Sequence, residues 1–369
     1  MKVALDATPL LGTPTGIARC VAGLIEGLAT LAEPPEVVLT GFSRSGGEPH
    51  YPGATWSPRR VPARALQALW ARVPLPPVEW LSGPCDVFHA TNYVLPPSRR
   101  AAGVVSIYDL TYERYPGMIT DAVARYRVLV PQSLRRAQAV ITPCQTVADE
   151  VIAAYGLDPA LVQIARPGVD RSWTTAAPAT AAWLQAHGLP TDYLLAVGTL
   201  EPRKNLRTLV DAHRLLGPGA PPLILVGSPG WGEQLHLTPA DRVHLTGWLS
   251  DTELQSLVAG ARLLAFPSLY EGYGLPPLEA LACGTPVVCS DIPVLREVLG
   301  PHAEFTAAQD IDAFAGSLAR VLAQPPDSQP PDSQQPDPEP GRAHALSHTW
   351  TAYATDVMAA YQSAAGASS

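Results

Sequence analysis

The stretch Phe266-Pro-Ser-Leu-Tyr-Glu-Gly-Tyr-Gly-Leu-Pro-Pro-Leu-Glu-Ala-Leu-Ala-Cys-Gly-Thr-Pro-Val-Val-Cys289 decides the fold. The apolar run Leu263-Leu-Ala-Phe266 before it reads as a buried strand. A loop with Gly272 and Gly274 follows. Pro276 and Pro277 then mark a first helical turn, where a missing N–H costs nothing. The apolar helix runs to Cys283, and Gly284 stands where a left-handed cap belongs. Thr285-Pro-Val-Val-Cys289 is the next strand. The unit is strand, glycine loop, helix, strand, with Glu271 in the loop and Glu279 expected just inside the helix.

Such a turn suits a particular ligand. A helix N-terminus behind flexible glycines presents backbone N–H groups and a positive dipole end to an anion. A carboxylate accepts hydrogen bonds from sugar hydroxyls. Hydroxyls and phosphates together describe a nucleotide sugar. On spacing alone a plainer reading stays open, with Glu279 complementing the dipole and Glu271 solvated.

Working outward, the same unit recurs. With 369 residues, the chain is long enough for two domains. Lys2-Val-Ala-Leu-Asp6 is a strand, Ala7 to Gly16 a loop, Ile17 to Leu31 helical, and Glu36-Val-Val-Leu-Thr-Gly41 a second strand. This βαβ opening with a glycine in its first loop predicts a doubly wound sheet, whose ligands sit beyond the carboxyl ends of its strands. Strands at 86–89, 103–107, 139–142 and 162–165 follow, with helices at 121–137 and 146–155. After Arg166-Pro-Gly-Val-Asp170 the pattern restarts, with strands at 193–198, 222–227, 243–246 and 263–266 and helices at 205–216 and 251–259. The expected domains are 1–170 and 171–345, with 346–369 closing as a helix over 349–362 that returns to the first domain. Pro325 to Pro340, rich in Pro, Asp, Ser and Gln, is expected to be a disordered loop. A cleft between two such domains is the expected ligand site.

Into that cleft should project Gly198-Thr-Leu-Glu-Pro-Arg-Lys-Asn205. The chain has two lysines, Lys2 and Lys204, so the only lysine beyond the second residue stands at this helix start, beside Arg203. A diphosphate fits there. The alternative is a solvated loop carrying two charges.

Charge excludes one class of partner. The net charge is −8, and it is uneven: fifteen Lys and Arg against fourteen Asp and Glu up to residue 170, ten against nineteen beyond. No basic stripe of a nucleic-acid binder is present. Five cysteines, none in a C-x-x-C pair, read as reduced and mostly buried thiols. Met1-Lys-Val-Ala-Leu-Asp6 meets a charge too early for a signal peptide, and no apolar run reaches the roughly 18 residues of a membrane span. A cytoplasmic protein is expected, with contact at the inner membrane a further option. That option rests on Pro49 to Val78, which holds Arg59, Arg60, Arg64 and Arg72 but no acid. There Ala63 to Arg72 is expected to be a helix with Leu66, Leu69 and Trp70 on one side. It reads either as a face for an anionic or lipid-linked acceptor or a membrane, or as an ordinary packed surface helix.

These residues carry a family resemblance. Glu201-Pro-Arg-Lys-Asn205, with Glu271-Gly-Tyr-Gly-Leu-Pro-Pro-Leu-Glu279-Ala-Leu-Ala-Cys-Gly-Thr-Pro-Val-Val288, resembles the retaining glycosyltransferases of the GT-B fold, family 4. The likeness extends to Gly16, Asp86-Val-Phe-His-Ala90, Asp109-Leu110, Arg166-Pro-Gly-Val-Asp170 and Gly247-Trp-Leu-Ser-Asp251. It implies two Rossmann-like domains facing a cleft. It implies transfer of a hexose, mannose favoured by the paired-glutamate motif, from a nucleotide diphosphate sugar such as GDP-mannose to an acceptor hydroxyl. The acceptor could be a polysaccharide, a lipid-linked sugar or a small molecule.

By the same resemblance, Arg203 and Lys204 hold the diphosphate and stabilise the leaving group. Glu279 binds the ribose. Glu271, with the backbone of Gly272, Tyr273 and Gly274, holds the sugar. Gly16 approaches the phosphates, and Trp248 and Leu249 lie by the base. No cofactor or metal is expected. Across the cleft, Tyr108 stands where relatives often have the histidine of a His-Asp pair; Tyr108, Asp109 and His89 are the candidate catalytic residues on that side. Two other readings are a non-catalytic nucleotide-sugar binder, to which Tyr108 points, and a nucleotide-sugar epimerase.

Overall fold

The computed structural model describes residues 1–12, 15–43, 50–57, 61–232, 235–323 and 340–367. Its contacts divide the chain into two units. One comprises Met1–Gly168 with the segment from His348 onward; the other is Val169–Ser347.

In the first unit the strands are β1 (Lys2–Asp6), β2 (Glu36–Thr40), β3 (Ala54–Trp56), β4 (Val87–Ala90), β5 (Ala102–Ser106), β6 (Ala139–Thr142) and β7 (Val162–Ile164). They form one sheet in the order β3-β2-β1-β4-β5-β6-β7, and every pairing is parallel. In the second unit β8 (Leu194–Val197), β9 (Leu223–Val226), β10 (Val243–Gly247), β11 (Leu264–Phe266), β12 (Val287–Ser290) and β13 (Glu304–Thr306) take the order β10-β9-β8-β11-β12-β13. These pairings are parallel as well. Fully apolar runs such as Leu223–Val226, buried throughout, are what a parallel sheet covered on both faces requires. In each sheet the order reverses beside the first strand, between β1 and β4 and between β8 and β11. Ligands of doubly wound sheets bind beyond the strand ends at such points.

Helices needed below are α1 (Gly16–Ala29), α2 (Ala63–Trp70), α3 (Tyr126–Arg136), α4 (Leu206–Leu215), α5 (Leu275–Cys283) and α6 (Trp350–Ala367). The closing helix α6 packs along α1 and contributes Tyr353, Val357, Ala360 and Tyr361 to the first core. The approach is close because α1 offers glycines there: a Cβ on Gly23 would strike the Trp350 ring, and one on Gly27 its backbone carbonyl.

Several sequence expectations need correction. The short strands β3 and β13 were too brief to show a pattern. The helix expected over 121–137 is two pieces, Asp121–Ala124 and α3, separated by Arg125. Asn205 precedes α4 in a left-handed conformation rather than opening it. Leu69 does not join Leu66 and Trp70 in the packed face of α2: those two are buried, while Leu69 is 43% exposed. The loop expected over 325–340 lies outside the described residues except for Pro340, which opens the helix Pro340–Ser347. Arg59 and Arg60 also lie outside them.

Candidate active site

The loops following β8 and β11 emerge side by side at the switch point of the second sheet, and local chemistry locks them together. After β8, Gly198 adopts φ +152, and a Cβ there would lie 3.2 Å from Lys204 Cε. The lysine stem therefore lies against bare backbone. Pro202–Lys204 makes one tight turn, which Asn205 ends at φ +53. Asparagine tolerates that conformation better than most residues. Its amide donates to the carbonyls of Pro267 at 3.1 Å and Ala308 at 2.6 Å. From the other loop, the Leu269 N–H donates to the Arg203 carbonyl at 2.9 Å, and Arg203 Nη1 donates to the Tyr270 carbonyl at 2.8 Å.

This backbone stitching brings four charges together. Lys204 Nζ lies 2.6 Å from Glu271 Oε1, Arg203 Nη1 2.9 Å from Glu271 Oε2, and Arg203 Nη2 2.6 Å from Glu201 Oε1. All four side chains are at least 85% covered. Burial alone would raise the Glu271 carboxyl, but Arg203 and then Lys204 outweigh it and hold it at about 2. The opposite pressure acts on Lys204: burial lowers its ammonium, and Glu271 only partly restores it. Arg203 and Lys204 against Glu201 and Glu271 leave the cluster formally neutral. Two cations are thus fixed in direction by carboxylates before any anion arrives, so ordering them adds little cost at binding.

The glycine loop is equally constrained. Gly272, Tyr273 and Gly274 are buried. Gly274 has φ +106, and a Cβ there would meet Leu295 Cδ2 at 2.7 Å. Neither Gly274 nor Asn205 places a side-chain cap on the helix it precedes. Glu279 is the fifth residue of α5, one residue deeper than a helix opening at Pro276 would place it, and only 4% exposed. Beyond β10, Gly247 turns the chain at φ +74. Trp248 then stands 51% exposed, with Leu249 half-buried beside it.

Sequence reading missed some of this site. Glu201 was quoted but given no task, and it anchors Arg203. Asn205 is the staple between the loops. Gly227 and Gly230 let the loop after β9 lie directly on Gly198 and Leu200, where a Cβ would collide with backbone carbonyls. The signal was legible in Gly227-Ser-Pro-Gly-Trp-Gly232, a glycine-rich loop directly after a strand.

In the first unit the expected residues divide. Gly16 opens α1 with nothing within 4 Å of where a Cβ would stand, and Thr15 caps the helix by accepting from the Ala18 N–H. Asp109 accepts from the Thr111 N–H at 3.0 Å and faces Tyr93. His89, expected among the catalytic residues, is a core histidine instead. It is fully buried; Nδ1 lies 2.7 Å from the Tyr361 hydroxyl and Nε2 2.8 Å from the Ser106 hydroxyl. Burial lowers its pKa to about 3, so it is neutral at physiological pH. Tyr108 joins the same network: its hydroxyl lies by those of Tyr353 and Ser106, and burial raises its pKa. Both groups divide their hydrogen bonds between Ser106 of β5 and the closing helix. Also unforeseen was a tyrosine cluster in which Tyr93, at φ +61, stacks on Tyr126 at 4.9 Å with Tyr108 and Tyr112 edge-on. Among the described residues no group of three or more His, Cys, Asp or Glu could hold a metal ion.

Comparison with known proteins agrees with this architecture. Residues 182–334 match the family described as Glycosyl transferases group 1, and residues 15–168 match the Glycosyl transferase 4-like domain. An O-antigen chain mannosyltransferase B from Escherichia coli is 30% identical over 288 residues, covering 75% of this chain and 74% of that protein. An O-antigen chain mannosyltransferase from Salmonella typhimurium is 28% identical over 240 residues, 64% of each. Among solved structures, the sucrose-phosphate synthase of Thermosynechococcus elongatus superposes with a TM-score of 0.70 at 19% identity over 98% of both chains. WaaG, a glycosyltransferase involved in lipopolysaccharide biosynthesis, does so at 0.65 and 16% over 100% of this chain and 98% of that one. With two doubly wound parallel units and this motif-bearing switch point, the chain belongs to the group 1 glycosyl transferases of the GT-B fold.

Proposed function

We propose that this enzyme transfers a hexose, mannose first among them, from a nucleotide diphosphate sugar to an acceptor hydroxyl with retention at the anomeric carbon. The observation that carries the reading is the pair of cations, Arg203 and Lys204, fixed on Glu271 at a sheet switch point. The likeness to mannosyltransferases supports mannose, and GDP-mannose as donor.

In this reading the donor diphosphate docks against Arg203 and Lys204. As the bond from the anomeric carbon to the phosphate oxygen breaks, charge grows on that oxygen. Preoriented cations stabilise it without reorganising. The departing phosphate oxygen takes the proton of the acceptor hydroxyl, whose oxygen bonds to the anomeric carbon on the same face. Glu271 and the Gly272–Gly274 backbone hold sugar hydroxyls, Glu279 the ribose, and Trp248 and Leu249 the base. Gly16 leaves room for the phosphates, and Asp109 serves the acceptor. In this reading Arg203 and Lys204 face the phosphate charge and no metal or cofactor takes part. The acceptor is a saccharide, free or lipid-linked, as the family's role in polysaccharide assembly suggests. Five free cysteines fit a reducing compartment such as the cytoplasm, and contact with the inner membrane completes the setting. Among the described residues no helix is long and apolar enough to cross a membrane.

The test is a donor panel of GDP-mannose, UDP-glucose and ADP-glucose. One donor should stabilise the protein thermally, by about 2.7 kcal/mol at a hundred times its dissociation constant, and should be slowly hydrolysed without acceptor. Stabilisation with no turnover in any form would instead favour a non-catalytic binder.

A further inference from the structure

The charge cluster of the second unit is neutral as it stands, with Arg203 and Lys204 against Glu201 and Glu271. A sugar diphosphate would bring two further negative charges to it. Where side chains are this well covered, screening is weak and that excess is costly. One carboxylate has to withdraw, and the two are differently placed.

Glu201 lies two residues before Arg203, ahead of the tight turn Pro202–Lys204. Its Oε1 accepts from Arg203 Nη2 at 2.6 Å. Arg203 Nη1 also donates to the Tyr270 carbonyl at 2.8 Å. These two holds direct the guanidinium without Glu271. Lys204 has holds of its own. Its stem runs along the bare backbone of Gly198, and Nζ lies 5.0 Å over the Phe266 ring, within cation–π range. Glu271 is placed otherwise. It comes from the facing loop, with Gly272 next to it and Gly274 beyond. The two cations engage both its oxygens, at 2.6 and 2.9 Å. Against the pull of burial, Arg203 and Lys204 hold its carboxyl at about 2. At neutral pH it therefore leaves the cations by turning rather than by taking up a proton. Turning with no anion at hand would strand two buried cations, so the empty site stays latched.

We propose that Glu201 is the positioning residue of the donor site: it keeps Arg203 on its bearing while Glu271 exchanges the two cations for a hydroxyl of the donor sugar, so that diphosphate and sugar are recognised together. The inference rests on the donor reading above and adds a division of labour between the two carboxylates. Glu271 is a counter-ion of the empty site and the sugar ligand of the filled one. Glu201 is a counter-ion in both. Without Glu201, Arg203 Nη2 would join Nη1 on Glu271, and such a two-point pair would hold that carboxylate back from the sugar.

The experiment is calorimetric titration of inorganic pyrophosphate, GDP and GDP-mannose into wild type, Glu271→Gln, Glu201→Ala and Glu201→Gln, with kcat and KM of donor hydrolysis measured on the same proteins. Pyrophosphate carries the charge of every candidate donor, so its binding does not depend on the base or the sugar. Glu271→Gln and Glu201→Ala each remove one negative charge from the cluster, yet they should respond differently. Glu271→Gln should bind pyrophosphate about tenfold more tightly, the scale of one charge-assisted hydrogen bond. Its affinity for GDP-mannose should fall relative to that for GDP. Glu201→Ala should bind pyrophosphate no more tightly than wild type. Its kcat should fall about tenfold with KM little changed, the mark of an interaction made in the transition state. Glu201→Gln, whose amide oxygen still accepts from Arg203 Nη2, should recover most of that loss. Equal tightening by Glu271→Gln and Glu201→Ala would reduce the cluster to its net charge and overturn the proposal. So would unchanged pyrophosphate binding in Glu271→Gln, or a Glu201→Ala protein that is less stable but turns over normally per folded molecule. A wild type that binds neither pyrophosphate nor any donor of the panel would sink the donor reading itself, which keeps the two failures apart.

Discussion

The two sheets are built alike, yet their polar strand-end residues have opposite fates. At the switch of the second unit, Arg203, Lys204 and Glu271 pair with one another and keep part of their surface open. At the ends of β4 and β5 in the first unit, His89 and Tyr108 turn inward, to Ser106 and to Tyr353 and Tyr361 of α6. A polar residue at a strand end becomes a site only when its own fold does not claim it. In the first unit the closing helix makes that claim, because it lays two tyrosine hydroxyls against the sheet. The loops after β8 and β11 are held instead by backbone hydrogen bonds and by their own opposite charges.

The contrast can be broken by substitution, beginning where the effect should be greatest. Lys204→Ala removes a preoriented cation from the leaving group. Turnover should fall about 10²- to 10³-fold, the scale of losing one transition-state donor. A near wild-type rate would remove the diphosphate role. Glu271→Gln should also abolish detectable transfer, while nucleotide binding, measured by calorimetry, survives. If the nucleotide is lost too, Glu271 acts on the ribose or on the fold.

His89→Phe should behave in the opposite way. It leaves two buried hydroxyls short of a partner, a cost of about 1–3 kcal/mol in denaturant unfolding, while turnover per folded molecule stays within the error of the assay. A collapse of turnover with unchanged stability would return His89 to the site. The two regions should also separate by pH. Unfolded, His89 takes up a proton near 6.5; folded, it resists to about 3. Between those values the unfolded chain binds more protons, so stability falls as the pH falls. Glu271 acts lower: its contribution is full above 4.5 and is lost as the pH falls through about 2. The His89→Phe unfolding curve should therefore be flatter than wild type from pH 6.5 to 4.5; parallel curves would contradict the buried neutral histidine. The smallest effect is expected of Tyr108→Phe, about 0.5–1.5 kcal/mol in stability and little in turnover.

Much of this was legible in the sequence because it is local. Proline at 276 and 277, the glycine cap at 284 and unbroken apolar strands announce strand, loop and helix from neighbours alone. The pairing of Lys204 with Glu271 spans 67 residues, and there the likeness to a family supplied what spacing could not. The His89 error had a different cause. Asp86-Val-Phe-His-Ala90 reads the same whether the imidazole faces a ligand or a tyrosine 272 residues away. Nor did the pattern reveal the depth of Glu279, since the helix begins at Leu275, ahead of the two prolines. Asn205 was hidden by its backbone conformation, which a helix-favouring run on its C-terminal side obscures.

The most direct test of the central claim is a calorimetric titration of GDP, or of whichever nucleotide the donor panel selects, into wild type, Lys204→Ala and Tyr108→Phe. Loss of a charge-assisted hydrogen bond of about 1.5–3 kcal/mol should weaken binding to Lys204→Ala more than tenfold, with Tyr108→Phe unchanged. Equal affinity of wild type and Lys204→Ala, or a loss confined to Tyr108→Phe, would contradict the assignment of the diphosphate to the second unit.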